Sequence, residues 1–360
     1  MAVQWTHTGY PQRIHFGTDA VDTLGEVVRE ASVRRVLLVT TDGRLSSEAG
    51  ERVVARLGRA LASTFDGVRS HVPTSAVETA VAQAVGDDVD GVVSFGGGSC
   101  ADLGKAVCFF VEQQRGAVLP HVSVPTTYSG AELTPFFGMT DEAARRKSGA
   151  GAPNLAPVAA VYDPVLTLDT PVRVSTETGM NALAHGVECA YSPARTPEAE
   201  AVALACVERM AAALPEVVDE PGDLAARSAA LAGAVLGGRC LQNATMGVHH
   251  GLSQLLGGRT GMPHGLANAV VLAHALRFNL EAIGSAGWRI GAALGDPDDP
   301  AGAVDRLRER LGLPGRLSEC GVAEEDVEAV ARLSQGNRNV QANPRPVSED
   351  DALAILRAAF

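Results

Sequence analysis

The chain has 360 residues, 46% hydrophobic and 20% charged, which is enough for two domains with their own cores. A net charge of −12 argues against nucleic acid as a partner, and an anionic substrate would need a local cationic pocket. The N-terminal MAVQWTHTGY carries no apolar leader core, and no stretch reaches about 18 uninterrupted apolar residues, so the expectation is a cytoplasmic protein with no membrane segment.

RRVLLVTT (34–41) reads as a buried strand, followed by a helix to about residue 60. DGVVSFGGG (90–98) is a second strand ending in glycines, with a helix from near Ala101. AVLPHVSVPTT (117–127) is a third strand. Strands alternating with helices imply a parallel, Rossmann-like sheet, whose ligands bind at the carboxyl ends of the strands. After Asp163-Pro164 the pattern turns helical, over 175–191, 197–214, 223–242, 244–257, 264–280, 299–311, 323–335 and 348–359. Ser348, with Asp351 three residues on, has the spacing of a capping box for the last. The reading is an α/β domain over 1–163 and an all-α domain over 164–360. The six cysteines (100, 108, 189, 206, 240, 320) form no CxxC pair and read as reduced core residues.

Gly96-Gly97-Gly98-Ser99 ends a strand and opens a helix, with Asp102 and Lys105 behind it. Glycines let the backbone approach a pyrophosphate, and the helix N-terminus supplies N–H donors and a favourable dipole. The motif is not GxGxxG. Thr126 and Thr127 close the third strand and offer hydroxyls to the same phosphates. Asp42 follows the first strand, where an acid accepts from the ribose 2′-hydroxyl and favours NAD over NADP. Basic residues are almost all arginine, so the only two lysines, Lys105 and Lys147, invite specific roles.

Asn181 and His185 stand four apart, on one face of a helix. MGVHHGLSQLLGGRTGMPHG then places His249 and His250 on a helix and His264 at the start of the next. Three histidines and a fourth polar group converging on one cavity have the layout of a divalent-metal site, but position 181 is an amide. His274, alone on an apolar helix, reads as a core residue.

These motifs resemble the iron-containing alcohol dehydrogenase superfamily, and within it the maleylacetate reductases. The likeness runs through FGTDAVDTL (16–24), HVPTSAVETA (71–80), FGGGS (95–99), VPTTYSGAELTP (124–135), RRKSG (145–149), YDPVLTLDTP (162–171), GMNALAH (179–185), GVHHGL (247–252), MPHG (262–265) and NPRPV (343–347). It implies the dehydroquinate synthase-like fold, with a nucleotide-binding N-terminal domain, a helical C-terminal domain, and the active site in the cleft between them. By matching motif, the superfamily's metal ligands fall on Asn181, His185, His250 and His264. Most metal-dependent members have Asp where this chain has Asn181, whereas maleylacetate reductases typically have Asn. That branch implies turnover without a bound metal, with iron or zinc as the alternatives. Gln254 stands where the family usually has a proton-relaying His, and glutamine has no proton to give near neutral pH. Asp102 matches the alcohol dehydrogenases rather than the reductases.

The expected chemistry is hydride transfer from NADH or NADPH to a keto group or conjugated enol of a small di-acid, as in maleylacetate to 3-oxoadipate, in aromatic-compound catabolism. Ser129 and Gly130 would lie by the nicotinamide. His185, His250 and His264 would polarise the oxygen, and one of them, or His249 or Tyr128, would deliver the proton. Arg345 and Lys147 would receive substrate carboxylates, Lys147 also standing among the cofactor contacts with Asp42, Gly97, Gly98, Ser99, Asp102, Thr126, Thr127 and Ser129. Asn181 and Gln254 would complete the substrate pocket. A lyase or cyclase using bound NAD transiently, a metal-dependent alcohol dehydrogenase and a redox-inactive nucleotide binder are the rival readings. The resemblance also implies a homodimer through strands of the N-terminal domain.

Overall fold

The computed structural model describes residues 4–143 and 146–360; the first three residues and Arg145 of RRKSG lie outside the described residues. The chain divides into two units, Gly9–Thr170 and Pro171–Phe360, the latter joined by the segment ending at Thr8. The division expected at residue 164 therefore falls at Thr170. The intervening turn belongs with the sheet: Asp163 accepts from Val21 N (3.2 Å) and Val165 N (3.0 Å), and Thr170 Oγ1 donates to the Thr126 carbonyl (2.8 Å). At the other end, Thr8 N donates to Asn243 Oδ1 (2.7 Å) and His7 Nδ1 pairs with Thr196 Oγ1 (3.0 Å), tying that segment to the helical unit.

In the first unit the elements are β1 (Arg13–Phe16), α1 (Leu24–Glu30), β2 (Val36–Val39), α2 (Glu48–Leu57), β3 (Leu61–Phe65), α3 (Thr74–Gly86), β4 (Gly91–Gly96), α4 (Gly98–Arg115), β5 (His121–Pro125), β6 (Phe136–Asp141), β7 (Arg146–Gly151) and β8 (Ala159–Tyr162). Six strands form one sheet in the order β1-β8-β5-β4-β2-β3, with every neighbouring pair parallel. β6 and β7 pair as a separate antiparallel hairpin. The strands read from sequence are β2, β4 and β5, buried on both faces. Along β2 the period of two is plain: Leu37 and Val39 join the core under α3 and α4, while Val36 and Leu38 join the core under α1 and α2.

One polar chain crosses the sheet interior. His121 Nε2 pairs with Ser94 Oγ at 2.8 Å, and Ser94 Oγ with Ser123 Oγ at 2.9 Å. Burial, reinforced by the charge of Lys105, pulls His121 from its usual 6.5 down to about 3. The unfolded chain therefore takes up this proton first as pH falls. The stability His121 confers is complete above 6.5 and drains away towards 3, by about 1.4 kcal/mol per pH unit for one proton. Denaturant unfolding followed at several pH values is expected to show that slope, and His121→Asn to flatten it by one proton.

The second unit holds α5 (Val172–Tyr191), α6 (Pro197–Asp219), α7 (Leu224–Cys240), α8 (Val248–Thr260), α9 (His264–Ile283), α10 (Ser285–Leu294), α11 (Pro300–Arg310), α12 (Glu324–Ser334), α13 (Arg338–Gln341) and α14 (Glu349–Ala358). All eight expected helices are present, with α10 and α13 added. α6 continues through Pro215, where the sequence reading stopped it, because Leu214 and Val217 are fully buried on it. Burial of that size outweighs one lost main-chain hydrogen bond. Ser348 caps α14, accepting from Asp351 N at 3.1 Å, while Asp351 accepts from Ser348 N at 2.9 Å. Two helical stretches, Leu224–Asn243 and His264–Ile283, are long and apolar enough to cross a membrane by composition alone, and are 50% and 61% buried in the folded chain.

Candidate active-site residues

In the α/β unit the carboxyl ends of β4 and β5 meet at the glycine turn. Thr126 N donates to the Gly96 carbonyl at 2.9 Å. A Cβ at Gly97 would stand 3.1 Å from Thr127 Cγ2, so only glycine fits this approach without displacing the threonine. Thr127 is 8% exposed, and its buried Oγ1 has no hydrogen-bond partner among the described residues. Gly98 and Ser99 open α4, an 18-residue helix whose first N–H groups and dipole favour an anion. Ser129 lies on the loop after β5, its Oγ accepting from Ala131 N at 3.4 Å. Asp42 is exposed on the loop after β2.

Asp102 and both lysines fall in the same unit. Lys105 is wholly buried and acts as a clamp: its ammonium pairs with Asp102 (2.8 Å) and donates to the carbonyls of Ala131 (2.9 Å) and Phe136 and to Thr134 Oγ1 (3.0 Å). Asp102's other oxygen accepts from Gly138 N (3.3 Å). Asp102, expected among the cofactor contacts, is thus engaged in holding the β6–β7 hairpin to α4. Lys147 lies on β7 opposite Thr140, and burial lowers its pKa against the opposing charge of Asp102. Tyr128 is likewise a buried residue of this unit.

In the helical unit, α5, α8 and α9 bring the imidazoles together. His185 and His250 stack with ring centroids 4.8 Å apart, and His264 lies 5.8 Å from His250. His185 and His250 are 7% and 2% exposed, and burial lowers the pKa of both, so both are neutral. His185 Nδ1 and His250 Nε2 are buried with no partner among the described residues.

What fixes His250 is Glu188, which the sequence reading passed over. It lies seven residues after Asn181 and three after His185, on the same face of α5. Its carboxylate is fully buried and sits under the N-terminus of α8. Oε1 accepts from Gly247 N (3.0 Å), His249 N (3.1 Å) and Tyr191 Oη (3.2 Å), and Oε2 from His250 N (3.2 Å). His250 Nδ1 lies 2.7 Å from Oε2. Burial alone would raise the Glu188 carboxyl, but bonds from His249 and His250 outweigh it and hold it well below the usual carboxylate range. An ionised Glu188 can only accept, so His250 carries its proton on Nδ1 and presents a lone pair at Nε2. A Cβ on Gly247 would come within 2.8 Å of both Glu188 Oε1 and Asn343 Oδ1, which is why glycine precedes α8.

Asn268 and Asn343 complete the frame. Asn268 Nδ2 donates to Asn181 Oδ1 (2.6 Å), and its carbonyl lies 3.0 Å from His249 Nε2. Asn343, the first residue of NPRPV, accepts from Val248 N (3.1 Å) and exchanges bonds with Asn279. His249, expected among the proton donors, is corrected: it is wholly buried, with Nε2 on Asn268 and Nδ1 facing His250 Nδ1 at 3.2 Å. Both of its ring nitrogens are spent inside the protein. Gln254, one turn after His250, accepts from Asn339 Nδ2 at 3.1 Å. Arg345, expected to fork onto a substrate carboxylate, lies over the Phe278 ring at 4.0 Å and donates to the Phe278 carbonyl at 3.1 Å. That stacking is worth about as much as a weak hydrogen bond and fixes the loop before α14.

The donor set is a poor match to a resident divalent cation. Asn181 is neutral and its oxygen is already bonded. Among the described residues the one group of three His, Cys, Asp or Glu side chains with donor atoms all within 4.8 Å is Glu188, His249 and His250. The acceptor sites of Glu188 are filled by main-chain and side-chain donors, so that group is a helix cap rather than a ligand cage.

Residues 11–164 match the family described as iron-containing alcohol dehydrogenase, and residues 175–360 match the C-terminal domain of the same family. The chain belongs to the iron-containing alcohol dehydrogenase family. Within it, the chain is 36% identical to the maleylacetate reductase of Pseudomonas knackmussii, over 99% of this chain and 98% of that protein. The crystal structure of maleylacetate reductase from Rhizobium sp. strain MTP-10005 superposes with a TM-score of 0.89 at 34% identity, covering 99% of this chain and 98% of that one. That of maleylacetate reductase from Agrobacterium tumefaciens gives 0.89 at 32%, covering 100% and 98%. The chain thus falls in the maleylacetate reductase branch, and the fold and the family are those that the sequence motifs implied.

Proposed function

We propose that the protein is a maleylacetate reductase, or reduces a small unsaturated keto di-acid of the same class with NADH or NADPH. The observation that carries this is the full-length likeness to maleylacetate reductases, 36% identity over 99% of the chain. A reduced nicotinamide supplies the hydride, and the glycine turn with Thr126, Thr127 and the α4 N-terminus suits its pyrophosphate. Hydride addition to the conjugated double bond moves negative charge to the ketone oxygen. His185 Nδ1, buried and without a partner among the described residues, is a hydrogen-bond donor for that oxygen in its Nδ1–H tautomer. His250 Nε2 is the relay that takes a proton from water and passes it to the carbon beside the ketone, which completes the reduction, with Glu188 stabilising the charged imidazole in transit. The neutral Asn181 supports chemistry without a resident metal. Cytoplasmic placement is part of the same reading, favoured by six free cysteines. So is a homodimer, favoured by edge strand β1 with Ile14 and Phe16 exposed.

The test is oxidation of NADH and of NADPH by maleylacetate, followed by loss of reduced-nicotinamide absorbance with and without chelator. Oxidation unaffected by chelator is the expected result. Loss of activity with EDTA, restored by ferrous iron or zinc, would overturn the metal-free reading. Product formed without net NADH consumption would point to a lyase, and NADH binding without turnover to a nucleotide-binding protein.

A further inference from the structure

Arg44 is a half-buried cation with no ion pair among the described residues, placed where β2, β4 and β5 end. It follows Gly43 on the loop after β2, and its main chain is fixed by the cap of α2: Ser47 Oγ donates to the Arg44 carbonyl at 2.7 Å. The guanidinium lies over the Phe95 ring at 5.5 Å, one residue before the glycine turn. Nη2 donates to Thr126 Oγ1 and reaches Thr170 Oγ1 at 3.5 Å. Both partners are neutral hydroxyls, and Arg44 forms no ion pair among the described residues. Burial lowers its pKa, opposed by Cys100 and Asp169, but Cys100 is pushed up to about 12 by burial and carries no charge. Arginine remains protonated throughout. A partly desolvated guanidinium bonded only to hydroxyls, with Asp169 acting on it without a direct bond, has incompletely compensated charge and open donors.

The neighbours say what would compensate it. Thr126 is bonded to Gly96, and Thr127 lies against Gly97 with a buried hydroxyl that has no partner among the described residues. Arg44, Thr127 and the N-terminus of α4 therefore offer a cation, a hydroxyl and main-chain donors around one turn. A phosphate group matches all three.

We propose that Arg44 binds the pyrophosphate of the dinucleotide, as a cofactor-affinity residue beyond the glycine turn itself. This rests on the reductase reading. It assigns the phosphate common to NADH and NADPH, not the 2′-phosphate, because the guanidinium points inward to Thr126 rather than out towards exposed Asp42.

Equilibrium binding of NADH and of NADPH, read by fluorescence titration, tests it on wild type, Arg44→Gln and Arg44→Lys, with a thermal melt of each. Arg44→Gln is expected to weaken both dinucleotides equally, roughly ten- to a hundredfold. It should also flatten the salt dependence of binding, and Arg44→Lys should recover part of the loss. Unchanged NADH affinity in Arg44→Gln, with wild type binding normally, overturns the assignment and leaves the reductase reading standing. A loss confined to NADPH moves Arg44 to the 2′-phosphate and also overturns it. An equal loss in Arg44→Lys with a matching fall in melting temperature makes Arg44 structural. Wild type that binds neither dinucleotide removes the reductase reading and this inference together.

Discussion

Replacing His250 with alanine is expected to lower turnover of maleylacetate about a hundredfold or more, the scale for loss of a proton relay in a buried site. His250 is 2% exposed, its Nδ1 is held at 2.7 Å by an ionised Glu188, and its Nε2 is the one ring atom left to meet substrate. Alanine removes that atom but leaves Glu188 its main-chain donors at 247, 249 and 250 and the Tyr191 hydroxyl, so the fold should persist. His250→Asn retains a polar side chain near Glu188 and separates lost packing from lost chemistry. Both variants should bind NADH and both should turn over slowly. Steady-state rates for His250→Ala within a few-fold of wild type would remove His250 from the reaction.

The sheet was legible in three of the four strands buried on both faces; β8, AAVY, is buried as well but too short to stand out as an apolar run. β2, β4 and β5 are apolar runs because helices cover them from either side. β1 and β3 passed unread, since RIHF and LASTF are short edge strands, β1 mostly exposed and β3 with a single buried residue. The β6–β7 hairpin, FFGMTD against RKSGAG, has no alternating apolar face to announce it. Helices were legible by their period, and their ends less so. α8 was expected from residue 244 but begins at Val248, because Gly247, His249 and His250 give their N–H groups to Glu188, from another helix.

The same physics separates the site residues that were found from those that were missed. Asn181 and His185 announced themselves by spacing and by a known motif. Glu188 continues that face at the next turn, and Asn268 follows His264 by four on α9, so helical periodicity would have found both. Reading Asn181–His185–Glu188 as one polar stripe on an otherwise buried helix was the available signal. Arg345 shows the converse. Sequence shows a guanidinium beside a turn, but not the Phe278 ring on which it stacks.

Glu188→Gln should destabilise the protein by about 3–5 kcal/mol, the cost of breaking a buried charged network from one side. The amide keeps one acceptor oxygen for the Oε1 donors, but turns N–H donors towards His250 N and His250 Nδ1, which are themselves donors. Two buried groups then lose their partner at once. Asn343→Ala is the comparison: it uncaps the same helix at Val248 N and leaves Asn279 without its two bonds to Asn343, but strands no charge, and should cost about 1–3 kcal/mol. Denaturant unfolding and thermal melts of the pair give the comparison. Glu188→Gln should also lose about ten- to a hundredfold in turnover, because the group that sets the His250 tautomer is gone. Asn343→Ala has no bond to the imidazoles and should keep the turnover of whatever fraction is folded. If Glu188→Gln melts with wild type and turns over normally, the carboxylate neither caps α8 nor orients His250. The proton relay would then have to start from His185 or His264.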